Sequence, residues 1–168
     1  MHPEWHRDGH TVSTDPARLD LAMIHGFLST CYWAEGIPLE IVRRSIEHSV
    51  NFGIYEDASG SQVGYGRVIT DRATFGYLGD VFVLDGHRGR GLSKFLMECV
   101  DGHPELAGFR RWVLLTRDAH ALYSRFGWAP IAKPERYMER WAPDIYRTDR
   151  AAGAVGHHSP APGSRSGS

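Results

Sequence analysis

The chain has 168 residues, 42% of them apolar and 23% charged, which is enough to pack one core and too few for several domains. Lys and Arg number 19 against 20 Asp and Glu, a formal net charge of -1 that excludes a bulk electrostatic drive toward nucleic acid or an anionic membrane. No apolar run reaches membrane length or resembles a signal peptide, so a cytoplasmic location is the default expectation.

Met1 to Gly9 is polar, and His2, His6 and His10 stand four residues apart. No Cys or carboxylate pattern accompanies them, so no metal site is expected. His10 to Thr14 has β character and reads as the first strand. Asp15 and Pro16 then read as N-cap and first position of a helix, with Leu19, Met23, Phe27 and Leu28 as its apolar stripe. Cys31 to Pro38 is a loop carrying two adjacent aromatics, Tyr32 and Trp33, and one carboxylate, Glu35. Pro38 opens a second helix with Leu39, Val42 and Ile46 on one face. Cys31 and Cys99 fall on apolar helix faces and read as buried free thiols.

Strands follow at Ser49 to Glu56 and Gln62 to Thr70, joined by the hairpin turn Asp57-Ala58-Ser59-Gly60. After a second turn at Asp71 to Thr74, the run Tyr77, Leu78, Val81, Phe82, Val83, Leu84 has the composition of a buried strand. It leads into Asp85-Gly86-His87-Arg88-Gly89-Arg90-Gly91. A helix begins near Leu92, with Phe95, Leu96, Cys99 and Val100 at helical spacing. Arg111 to Thr116 reads as a strand, and Ala119 to Phe126 as a short helix closed by Gly127. Trp128 to Ile131 and Arg136 to Trp141 read as a last strand pair. Residues 143–168 turn to Ala, Gly, Ser and Pro and read as a low-complexity tail outside a single domain of residues 1–142.

The physics of the glycine and arginine loop points at phosphate. Glycines let successive N–H groups turn toward one point, and a helix start adds unpaired donors and partial positive charge. A pyrophosphate is the natural occupant. A phosphate loop of the G-x-x-x-x-G-K-[ST] type is excluded, because Leu92 stands where its lysine belongs. A dinucleotide fingerprint lacks its third glycine, since Lys94 fills that position.

Val81 to Ser93, V-F-V-L-x-x-x-R-G-R-G-L-S, resembles the acetyl-coenzyme A motif of the GNAT superfamily of N-acetyltransferases. Ala119 to Trp128, A-H-A-L-Y-S-R-F-G-W, resembles that family's second motif, in the expected order. The resemblance implies an α/β fold: a mixed, mostly antiparallel sheet with a splayed central strand pair and helices on both faces. It implies acetyl-CoA as cofactor, with main-chain groups of Val81, Phe82 and Val83 on the pantetheine arm. Arg88, Gly89, Arg90, Gly91 and Leu92 would hold the pyrophosphate, with a hydroxyl from Ser93. Tyr123 matches the general acid that protonates the departing thiolate. Tyr32, Trp33 and Glu35 lie in the loop expected over the acceptor, and Asp80 is the nearest carboxylate for a general base. Strand parity places Asp80 on the face of Leu78 and Phe82 unless a bulge intervenes. Two departures stand out: Gly86 occurs where the family often has Gln or Arg, and Thr116 where it often has Asn. Asp118 is the expected cap of the short helix.

The expected activity is transfer of an acetyl group from acetyl-CoA to a primary amine of a small molecule or peptide by direct attack. The alternative is a non-catalytic acyl-CoA-binding sensor, which would need the loop but not Tyr123. The expected partner is the amine acceptor, with neither nucleic acid nor membrane, and a homodimer is possible on such a fold.

Overall fold

The computed structural model describes residues 2–147. Most of the low-complexity tail, residues 148–168, lies outside the described residues. Six strands form one sheet: β1 (Glu4–Arg7), β2 (His10–Ser13), β3 (Val50–Glu56), β4 (Gln62–Thr70), β5 (Phe75–Val83) and β6 (Arg111–Leu114). They lie in sequence order, and every pair is antiparallel except β5–β6. That pair is parallel because the chain returns through helix α3 (Leu92–Asp101). The other helices are α1 (Leu21–Leu28), α2 (Leu39–Glu47) and α4 (His120–Tyr123). Among the described residues no helix is long and apolar enough to cross a membrane.

Helices cover both sheet faces, as expected. On one, α3 buries Leu96, Met97 and Val100 against Phe52, Ile54, Val68 and Leu78. On the other, α1 and α2 bury Ile24, Leu28 and Val42 against Tyr65 and Phe82. The mixed, mostly antiparallel sheet agrees with the sequence expectation; three local readings need correction. Glu4–Arg7 is a strand, closed onto β2 by Asp8 and Gly9 at φ 47° and 73°, the left-handed pair of a tight hairpin turn. The first helix is split. Asp15 caps only the short turn Pro16–Arg18, and Asp20 takes the Met23 N–H at 2.9 Å to start α1. The last strand pair does not form: Trp128–Ile131 and Arg136–Trp141 contribute no ladder, Pro130 lacks an N–H donor, and Pro134–Arg136 folds into a short turn at the start of the second segment.

The feature that positions the site is a bulge in β5. Tyr65 pairs with Phe82 and Arg67 with Gly79, so Gly66 stands opposite both Asp80 and Val81. Asp80 takes the left-handed conformation, φ 54°, that absorbs the extra residue. Leu78 and Val81 therefore pack into the same α3-side core although three residues apart. A Cβ on Gly66 would stand 3.2 Å from Leu96 and 3.3 Å from Val81, tight enough that those side chains would have to give. Pairing between β5 and β6 stops at Leu78 and Leu114, and β5 runs on to Val83 alone on that side.

Two stability predictions follow from this packing. Leu96→Ala should cost about 3 kcal/mol, because the rigid sheet and α3 collapse little around the hole, read as a lower urea midpoint at unchanged slope. The second concerns alkaline pH. Burial pushes the Tyr55 phenol and the Cys99 thiol up to about 12, and raises Tyr65 for the same reason. The folded chain then holds protons that the unfolded chain releases near pH 9 to 10, so these groups contribute stability that is intact below that range and lost as pH climbs toward 12. The urea midpoint should hold below that range and fall as pH climbs toward 12; a midpoint unchanged up to pH 12 would refute this.

Candidate active site

The loop between β5 and α3 has the geometry of an anion cradle. Gly89 and Gly91 have φ 77° and 75°, which a side chain would strain, and Gly91 caps α3. Phe95 is the first helix residue to bond back, its N–H donating to Gly91 O at 2.9 Å. Among the described residues, no backbone acceptor meets the N–H groups of Gly89, Arg90, Gly91, Leu92, Ser93 or Lys94. Six successive donors at a helix N-terminus suit a diphosphate. The Leu92 side chain is buried in the core, and Ser93 is half-buried in the first turn. The two arginines are turned onto the loop itself. Arg88 donates Nε to Val83 O at 3.1 Å and pairs with Asp85 at 3.0 Å. Arg90 approaches Gly86 O at 3.5 Å and Glu56 at 3.9 Å.

Where β5 outruns β6, its main chain is exposed on one edge. Leu84 N–H donates to Val63 O in β4, so by alternation the Val83 groups face the open side, where Arg88 finds the carbonyl. The same alternation turns the main chain of Phe82 toward β4, opposite Tyr65. Its expected part in holding a pantetheine arm through the backbone is corrected on that ground. Phe82 instead stacks its ring on Phe27, centroids 3.8 Å apart and 6° from parallel, which fixes α1 beneath the strand.

The bulge settles where Asp80 points. It accepts Arg67 Nε at 2.5 Å and Trp33 Nε1 at 3.2 Å, both on the α1–α2 side of the sheet. The bulge therefore parts Asp80 from the face of Leu78, while Asp80 still shares a side with Phe82. Arg67 also donates to Ser49 Oγ at 3.1 Å. Sequence reasoning missed Arg67 and Ser49; the available signal was a lone arginine at the centre of the otherwise uncharged strand Gln62–Thr70. Trp33 meets Tyr32 edge to face at 4.9 Å, and the Arg117 guanidinium lies 3.9 Å over the Tyr32 ring. The aromatic pair thus spans the parting, with Trp33 held from β5 and Tyr32 from the segment between β6 and α4. Glu35 is exposed, and among the described residues no hydrogen bond or ion pair ties it to Asp80 or Tyr123.

Tyr123 is buried at 8% exposure in α4, edge-on to Trp128. Burial pushes its phenol up to about 12, with the charges of Tyr32 and Asp118 adding to the effect. It stays protonated at neutral pH, as a proton donor must. No side chain caps α4, so Asp118 does not take that role: it pairs with Arg117 at 3.5 Å, while Thr116 Oγ1 accepts the N–H of Ala119, the residue before the helix, at 3.0 Å. A cavity of about 960 Å3 lies between β6, α4 and residues 128–138 and includes Tyr123. The aromatic pair thus links Asp80 on β5, through Trp33, to the segment after β6, through Tyr32, whose charge also bears on Tyr123.

The family model of the acetyltransferase (GNAT) domain matches residues 47–130, half of the chain, and includes the bulge, the loop and Tyr123. A Gibberella zeae protein assigned as an acetyltransferase is 36% identical, covering 72% of this chain and 79% of its own. The crystal structure of a protein assigned to the same family, from Xanthomonas campestris pv. campestris, is 51% identical, with a TM-score of 0.81. It covers 85% of this chain and 100% of that one. An acetyltransferase fold from Clostridium acetobutylicum, solved with acetyl-CoA, aligns with a TM-score of 0.56 at 12% identity, over 78% of this chain and 94% of that one. With its splayed strands, glycine cradle and buried tyrosine in register, this chain belongs to the GNAT family of acetyltransferases.

Proposed function

We propose that the protein transfers an acetyl group from acetyl-CoA to a primary amine on a small, partly apolar molecule or a peptide, by direct attack. The observation that carries this reading is the parting of β5 and β6, followed by the free N–H groups of Gly89 to Lys94, with Trp33 bonded to Asp80 on β5 and Tyr32 bearing on Tyr123 after β6. The neighbour solved with acetyl-CoA supports the choice of cofactor. The loop amides take the diphosphate, and the open edge around Val83 takes the pantetheine amides once Arg88 yields its carbonyl. Backbone N–H groups near the bulge are placed to polarise the thioester carbonyl.

The acceptor amine enters beneath Tyr32 and Trp33. Its nitrogen attacks the carbonyl carbon, the C–S bond breaks, and the amine proton passes toward Asp80. Tyr123 donates its hydroxyl hydrogen to the departing sulfur. An alkyl ammonium near pKa 10.4 needs such an acceptor of protons at neutral pH. Arg67 and Trp33 hold the carboxylate in place for that role.

Screening primary amines with acetyl-CoA and following free thiol tests the reading. Turnover with at least one small apolar amine is expected; cofactor binding with no thiol release from any amine would favour a sensor. Tyr123→Phe should lower kcat about 100-fold and leave the acetyl-CoA Kd unchanged, measured by calorimetry beside steady-state kinetics. Asp80→Asn should lower kcat/KM about 100-fold at neutral pH, and the deficit should shrink as pH rises and the acceptor loses its proton unaided. A deficit independent of pH would assign Asp80 to positioning alone.

A further inference from the structure

The loop proposed to hold the cofactor carries a second cluster on its other side. His10, Glu56 and His87 each bring one candidate ligand atom within 4.8 Å of the other two. His10 and Glu56 are direct partners in the β2–β3 ladder, so their side chains share a face. His87 reaches them from the short turn Asp85–His87 that begins the loop.

The hydrogen bonds of this cluster are incomplete. His10 is 7% exposed, and its Nε2 is buried without a partner. His87 Nδ1 is likewise buried and unpartnered, 3.9 Å from Glu56 Oε1, too far for a hydrogen bond. The tautomer of His10 is fixed: Nδ1 stands 3.0 Å from the Asp8 carbonyl, an acceptor only, so Nδ1 carries the proton and Nε2 presents a lone pair. A backbone carbonyl on one ring nitrogen and a free lone pair on the other is the arrangement of a metal-ligating histidine. Each buried polar atom left unmatched is a free-energy cost that a cation would remove. Glu56 is oriented in turn by Ser59 Oγ, which donates to Oε2 at 2.8 Å.

We propose that His10 Nε2, the Glu56 carboxylate and His87 Nδ1 bind one zinc-class divalent ion. Two imidazoles and a carboxylate suit such an ion, with a fourth position left to water. Ligands on tetrahedral zinc stand about 3.4 Å apart, so the 4.8 Å cluster closes by about 1.4 Å at its widest through side-chain rotation. The expectation of no metal site considered His2, His6 and His10 and the lack of a Cys or carboxylate pattern beside them; these ligands come from two strands and a loop. The ion ties the loop to the sheet and takes Glu56 from Arg90, 3.9 Å away, which leaves that guanidinium free to turn toward the phosphate cradle. This last effect rests on the proposed cofactor site.

The test uses the full chain, freed of metal by chelator and titrated calorimetrically with zinc chloride in the absence of acetyl-CoA. One equivalent should bind, and cobalt in its place should show the intense visible bands of a four-coordinate site. His87→Gln, on an exposed loop, and Glu56→Gln should each weaken zinc binding about 100-fold or more while the circular dichroism spectrum stays unchanged. Binding that survives both substitutions would assign the ion to other histidines and overturn the proposal, as would no binding with zinc in large excess. A parallel titration with acetyl-CoA, with and without zinc, should show tighter binding with the ion. Zinc binding without that change would remove the anchoring role and keep the site; loss of all acetyl-CoA binding would count against the cofactor reading alone.

Discussion

Everything at this site depends on two parallel strands that stop pairing. β5 and β6 share a ladder only as far as Leu78 and Leu114, and β5 continues for five more residues without a neighbour on that side. An open edge of this kind leaves backbone donors and acceptors that burial would penalise, so it persists only where water or a strand-like ligand satisfies them. The β5 bulge makes the opening compatible with a packed core. It shifts side-chain parity by one, so that Leu78 and Val81 both serve the α3 side while Phe82 serves the other. Without it, either the core or the cleft would be lost.

The bulge has its own cost. Asp80 sits at φ 54°, a conformation unfavourable for a residue with a side chain by something like 1 kcal/mol or more. What holds it is a mostly buried carboxylate between Arg67 and Trp33. Those contacts do two things at once: they offset backbone strain, and they fix the aromatic loop over the parting. Tyr32, gripped from the far side by Arg117, completes the span. Aromatic loop, bulge and proposed proton acceptor are one mechanical unit, so a change at any of them is felt at the others.

The sequence made some of this plain and hid the rest for identifiable reasons. β3, β4, the turn at Asp57 to Gly60 and the start of α3 at Leu92 are governed by local patterns, alternation and glycine placement, and the structure agrees closely. Glu4–Arg7 was missed although Asp8-Gly9 is a strong hairpin signal, because the flanking residues are polar and the strand lies at the sheet edge. The split of the first helix turned on two aspartates five residues apart, each able to cap. The final strand pair does not form, and Pro130 within the first of the two segments lacks a ladder donor. At the site, the loop glycines and Tyr123 follow from contiguous motifs. The side of the sheet on which Asp80 lies follows from a register shift against β4, and no pattern within β5 alone encodes a partner strand. The Arg67–Asp80 pair and the His10–Glu56–His87 cluster join residues 13, 31 and more positions apart, which a single sequence does not bring together.

The raised pKa of Tyr123 constrains how it can act. A phenol near 12 facing a thiolate whose acid has an ordinary pKa of about 8.5 would give up its proton only uphill, by about 5 kcal/mol. On that basis complete transfer would be a poor step, and the tyrosine would serve as a hydrogen-bond donor to the developing charge on sulfur. But the burial that lifts the phenol also lifts a thiol. Cys99, in the core of the same protein, is pushed up to about 12, with burial as the largest cause. A cofactor sulfur desolvated to a similar degree would match Tyr123, and the transfer becomes nearly level. The proposed acid is therefore effective only with the cleft closed over the thioester, and the aromatic span of Tyr32 and Trp33 is what stands over it.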